Sequence, residues 1–106
     1  MTYGSAIAVL ADPTRRAVFE KLRHGPLAVN LLAAGLPVSR PAVSQHLKAL
    51  KAAGLVEERS EGVRHIYSVR REGLQELRDW LDSFWDDALE AFRKEAEKPR
   101  EKSLRR

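Results

Sequence analysis

The sequence predicts a mostly helical domain closed by a β-hairpin, and three observations carry that prediction. Helix start and stop signals recur through the first fifty-odd residues. After Gly54 the hydrophobic period shortens to two, and from Glu72 it returns to steps of three and four over one long run. The 106 residues, 43% of them hydrophobic, amount to one domain with one core.

The first segment, "TYGSAIAVLA", reads as a short apolar helix ending before Asp12. "DPTRRAVFEKLRHG" follows, with Asp12 as N-cap, Pro13 at the first helical position and Gly25 just past the end. "LAVNLLAAGLP" reads as a third helix closing near Gly35. "VSRPAVSQHLKALKAAG" is the fourth, capped by Ser39 and stopped by Gly54. "LVEERSEGVRHIYSVR" then alternates around Glu61-Gly62, the pattern of two strands and a tight turn. The run from Glu72 to about Lys98 is one helix, with Leu74, Leu77, Leu81, Phe84, Ala88 and Phe92 at helical steps. Four helices, a hairpin and a helix make the winged helix-turn-helix arrangement, the hairpin being the wing. One domain is expected over 1–98, followed by a disordered basic tail over 99–106.

Charge is unevenly placed. Residues 1–70 carry ten Lys/Arg against five Asp/Glu, whereas residues 72–92 carry seven acids against Arg78 alone. A basic half suits a polyanion partner. No run approaches the ~18 apolar residues of a membrane span, and "MTYGSAIAVLADPTRR" lacks the basic start of a secretory leader, so a cytoplasmic location is expected. Cysteine is absent, which removes disulfides, thiolate ligands and a thiol nucleophile.

The fourth helix has an unusual start. With about 100° per residue and Val43 at the centre of the buried face, Leu47 and Leu50 fall inward, while Pro41, Gln45 and Lys48 point away and Ala42 and Ser44 flank them. Short side chains let a helix approach a DNA groove closely. Gln45 can pair with adenine, Arg40 with guanine or phosphate, Pro41 and Ala42 can touch a thymine methyl, and Ser44 can bond base or backbone. Ser39 and the free N–H groups at the helix start favour a phosphate. His46 lies between the faces, where a structural role or a phosphate contact would suit it. On the wing, Arg64 and then Arg59 are the expected backbone contacts, and His65 faces either way. Any one of these residues taken alone reads better as solvated surface; their joint placement favours a groove reader. Arg15 and Arg16 are further candidates for phosphate.

These residues resemble a family. "ADPTRRAVFEKL", "SRPAVSQHLKALKAAGLV" and "EGVRHIYSV" are similar to the ArsR/SmtB-type bacterial transcriptional repressors, and the likeness extends over residues 10 to about 95. The long "LQELRDWLDSFWDDALEAFRKE" helix looks like that of the subgroup without the usual metal sites. The resemblance implies a winged-helix homodimer on a pseudo-palindromic operator in the bacterial cytoplasm, on the nucleoid, blocking transcription until a signal releases it. Val29 and Asn30 stand where the family's arsenic and cadmium sensors carry a cysteine pair, and the last helix has no histidine. Metal sensing is therefore not carried over, and no cofactor or metal site is expected. The stripe Asp79, Asp82, Asp86 and Glu90 reads first as a solvated face.

The last helix has more apolar surface than a small core consumes. Leu77, Leu81, Phe84 and Ala88 form one seam, widened by Trp80, Trp85, Leu89 and Phe92. Two tryptophans, each able to bury ~150–250 Å², predict with Ile7 and Leu10 of the first helix a dimer interface. In such a dimer the reading helices would stand ~34 Å apart, one turn of B-DNA. The expected partners are operator DNA and a second copy, with a small-molecule or protein effector left open and no membrane. A winged-helix module that binds another protein without reading DNA sequence is the rival. No catalytic residue is expected, since no nucleophile or phosphate loop accompanies the carboxylates.

Overall fold

The computed structural model describes residues 3–98, so the tail over 99–106 lies outside it. The chain order is α1 (Tyr3–Leu10), α2 (Pro13–Lys21), β1 (Leu27–Ala28), α3 (Val29–Ala34), α4 (Arg40–Ala52), β2 (Val56–Glu61), β3 (Arg64–Val69) and α5 (Arg71–Ala96). The fold is the mostly helical, winged arrangement read from the sequence.

Local chemistry sets the boundaries. Asp12 caps α2, its Oδ1 accepting the Arg15 N–H at 3.0 Å, with Pro13 in the first turn. Ser39 caps α4 in the same way, its Oγ accepting the Ala42 N–H at 3.2 Å. At the far end of α4, Gly54 takes φ 80° while the Leu55 N–H reaches back to the Leu50 carbonyl at 3.0 Å. That six-residue closure throws Leu55 into the core and needs a left-handed residue at Gly54. The core is apolar: Val18, Leu22, Leu32, Val43, Leu47, Leu50 and Leu55 are all buried, and no polar residue among those described is.

Three boundaries differ from the sequence reading. "LAVNLLAAGLP" is not one helix. Leu27 and Ala28 pair antiparallel with Tyr67 and Ile66, and only Val29–Ala34 is helical. The wing is thus part of a three-stranded sheet, ordered β1-β3-β2. Extended pairing supplies those two residues with partners that a six-residue helix without a side-chain cap would not. In the hairpin, Glu61 pairs with Arg64, so the turn residues are Gly62 and Val63 rather than Glu61 and Gly62. Only Gly62, at φ 63°, adopts the positive angle that such a two-residue turn needs at its first position. Finally, α2 ends at Lys21, and looser turns carry the chain through Arg23 to Gly25.

Helix α5 is fastened at its start and exposed beyond it. The Arg70 N–H donates to the Leu55 carbonyl at 2.7 Å, and Arg70 Nη1 reaches the Gly54 carbonyl at 3.4 Å. Gly73 is buried against the same turn. Further along, Leu81 is 49% exposed, Trp85 60% and Phe92 68%. Twenty-six residues make a rod of about 39 Å, and its outer half lacks a covering layer.

Candidate nucleic-acid interface

The buried stripe of α4 is Val43, Leu47 and Leu50, as the helical spacing predicts. Ser39, Arg40, Pro41, Gln45 and Lys48 are consequently exposed, and Ala42, Ser44 and His46 half-buried at the flanks. The start of α4 faces the wing across a groove of about 500 Å³. Arg40 and Ser44 form one wall, Arg64 and His65 another, and Asn30 closes the end. Arg40, Lys48 and Arg64 have no ion pair among the described residues, so their charge is available to an anion.

Other cations are already engaged. Arg59 donates twice to Glu61 Oε2, at 3.1 and 2.9 Å, which reduces the pull of this wing arginine on phosphate. Arg16 Nη1 donates to the Leu10 carbonyl at 2.7 Å, tying α2 to the end of α1. Arg15 Nε donates to His46 Nδ1 at 3.5 Å, a long contact that joins α2 to the flank of α4. His46 thus has a structural partner beside the interface.

Glu58, Asn30 and Tyr67 also line the groove, a placement not expected for any of them from the sequence. Asn30 owes its place to β1, whose pairing with β3 carries the start of α3 to the wing. Glu58 accepts from Lys51 Nζ at 3.0 Å and meets His65 Nδ1 at 2.7 Å, so it ties the end of α4 to both wing strands. This settles His65, which faces outward toward Glu58. The hydrogen bond from Lys51 holds the Glu58 carboxyl below its ordinary value, against burial and with help from His65. Burial, reinforced by the Glu58 charge, pushes the Tyr67 phenol up.

A carboxylate depressed in the folded state stabilises it above the ordinary carboxylate pKa and loses that contribution as pH falls through the lowered value. Thermal melts from about pH 6 to about pH 3 are therefore expected to show an acid loss that Glu58→Gln reduces. Identical acid profiles for the two proteins would remove Glu58 from that role.

Among the described residues, no group of three His, Cys, Asp or Glu side chains could hold a metal ion. Asp79 accepts from Gln75 at 2.9 Å and Asp82 lies 3.8 Å from Arg78, an exposed helix face of ordinary kind. No described helix is long and apolar enough to cross a membrane.

A capped helix with a short-sided, outward start, backed by α2 and flanked by a wing that presents Arg64, defines a winged helix-turn-helix DNA-binding protein. A helix-turn-helix domain model matches residues 10–59. The chain is 59% identical over 83 residues to the HTH-type transcriptional regulator Rv2034 of Mycobacterium tuberculosis, covering 78% of each. An ArsR-like transcriptional regulator from Rhodococcus sp. RHA1 superposes with a TM-score of 0.71 at 33% identity, over 91% of this chain and 93% of that one. The homodimeric winged helix-turn-helix DNA-binding domain Mb0332 from Mycobacterium bovis gives 0.65 at 30% identity, over 84% and 82%. The chain belongs to the ArsR/SmtB-type family of transcriptional regulators. It is a DNA-binding transcriptional regulator and not an enzyme.

Proposed function

We propose that the chain acts as a homodimer that occupies a pseudo-palindromic operator and represses transcription there, residing on the nucleoid. The observation that carries the DNA contact is the groove between α4 and the wing, with uncompensated Arg40 and Arg64 on its walls and Gln45 projecting beside it. In this reading α4 enters the major groove. Gln45 reads a base, Ser39, Arg40, Pro41, Ala42 and Ser44 shape the approach, and His46 and Lys48 lie along the backbone. Arg64 follows the phosphates from the wing, with Arg59 secondary because Glu61 holds it.

Pairing is supported by α5. Its exposed Leu81, Phe84 and Trp85 lie on a helix that projects from the core, and the radius of gyration is 19.7 Å against the ~13 Å of a compact chain of this length. Leu77, Trp80 and Ala88 flank them half-buried, as does Leu10 on α1, whereas Ile7 is exposed. A two-fold pair of reading helices ~34 Å apart would match successive turns of one DNA face.

Selection from a randomised DNA pool tests the reading. Gln45→Ala is expected to relax preference at one position in each half-site by ~1–3 kcal/mol, while Arg64→Ala weakens all sequences alike. An unchanged preference after Gln45→Ala removes that residue as a reader. Failure of the native chain to prefer any sequence would favour the protein-interaction reading instead.

A further inference from the structure

Within the hairpin, Glu58 pairs with Tyr67 and Ser60 with His65, so these four side chains share one face of the wing. The Glu58 side chain is only 22% exposed, while that of His65 remains 58% exposed on the groove wall. With Glu58 Oε2 2.7 Å from His65 Nδ1 and Lys51 Nζ 3.0 Å from Oε1, the carboxylate is held from the helix side and meets the ring on the other. An ionised carboxylate can only accept, so it keeps the imidazole hydrogen on Nδ1. The second ring nitrogen, Nε2, has no partner among the described residues. In a neutral ring of this tautomer Nε2 is an acceptor, and in a charged ring it is a second donor.

That difference decides how His65 meets DNA. Phosphate oxygens along a duplex accept hydrogen bonds, so a neutral His65 would turn a lone pair toward lone pairs. A protonated His65 would offer a charge-assisted N–H beside Arg64 and across from Arg40.

The groups around the ring leave His65 as the variable one. Arg64 on β3 and Arg40 on α4 are guanidiniums and keep their charge. The hydrogen bond from Lys51 of α4 holds Glu58 on β2 below the ordinary carboxylate value, so it stays ionised near neutral pH. Burial pushes the Tyr67 phenol on β3 up, so it stays neutral. Ser60 on β2 and Asn30 on α3 do not titrate. Histidine is the side chain whose charge ordinarily changes between about pH 5 and about pH 8. His46 gives the contrast: its Nδ1 accepts from Arg15 Nε at 3.5 Å, the arrangement of a neutral ring.

We infer that His65 is a proton-linked contact to the DNA backbone and that Glu58 is its positioning residue, so that each wing takes up a proton as the groove closes on DNA. The inference rests on the DNA-reading groove proposed above and adds to it a residue pair and a pH dependence. The sign follows from linkage, since the state that binds more protons gains as pH falls. Here that state is the complex. Affinity is therefore expected to fall as pH rises from about 6 to about 8, on the order of 30-fold for a dimer with two wings.

A backbone contact needs no particular operator, so the full chain can be titrated into a labelled mixed-sequence duplex at constant salt. His65→Gln is expected to remove most of the pH dependence, and its exposed position leaves the core intact. Glu58→Gln should flatten the dependence with the histidine still present. The new amide can donate to Nδ1, which lets a neutral ring carry its hydrogen on Nε2. A wing merely loosened by that change would lose affinity equally at every pH. His46→Gln should keep the native slope, whatever it does to affinity. Equal slopes for the native chain and His65→Gln overturn the inference and leave the groove as the DNA site, as does a slope that vanishes with His46→Gln. A native slope in Glu58→Gln overturns the positioning role. A native chain that binds no duplex at any of these pH values overturns the DNA reading of the groove itself.

Discussion

Gly73→Ala is expected to destabilise the domain by roughly 3 kcal/mol or more, seen as a melting temperature at least ~10 °C lower at equal protein concentration. A β-carbon at Gly73 would sit 1.9 Å from the Gly54 carbonyl oxygen and 2.8 Å from its carbon. Both are backbone atoms, so no side chain can swing aside. Relief requires lifting α5 off the turn or distorting the turn that ends α4. Gly62→Ala provides the comparison. That position takes φ 63° with nothing within 4 Å, so only the left-handed backbone penalty of ~1–2 kcal/mol applies. A Gly73→Ala protein that melts with the native one would show that α5 does not seat on this turn.

The second large effect is on DNA affinity, which is expected to fall ~10³-fold as salt rises from 50 to 200 mM. Arg40, Lys48 and Arg64 are the interface cations that no described side chain or carbonyl engages, which makes six in a dimer, whereas Arg15 and Arg16 are held by His46 and the Leu10 carbonyl. With about 0.9 counterions released per neutralised phosphate, six contacts give a log–log slope near −5. Arg59 adds little to that count while Glu61 holds it. Arg40→Ala should therefore flatten the slope by about two units per dimer, and Arg59→Ala by much less. A slope unaffected by Arg40→Ala would place that side chain away from the phosphates.

Much of this was legible in the sequence because it rests on local rules. Asp12-Pro13 and Ser39 announce helix starts, Gly54 a stop, and the spacing of Val43, Leu47 and Leu50 assigns the outward face of α4 without reference to the rest of the chain. Leu27 and Ala28 were illegible for the opposite reason. Two apolar residues before a short helix have no period of their own, and what makes them a strand is the edge of β3, nearly forty positions later. Missing β1 hid Asn30 as well, since its place in the groove follows from that pairing. Glu58 was obscured by its charge. On a strand that also carries Glu57 and Glu61 one more acid reads as surface, and only its contacts with Lys51 and His65 reveal a tether. The same holds for Arg59, ranked just behind Arg64 as a phosphate contact, whose pull is reduced by the ion pair with Glu61.

The seat of Gly73 on Gly54 has a consequence for how operators can diverge. Because the rod leaves the reading head from a fixed backbone abutment, its direction is inherited by everything downstream, as a compass arm inherits the angle of its hinge. In the proposed dimer, the distance between half-sites would then be set by where two rods cross, and the bases chosen within each half-site by the head alone. Lineages can retune one without disturbing the other.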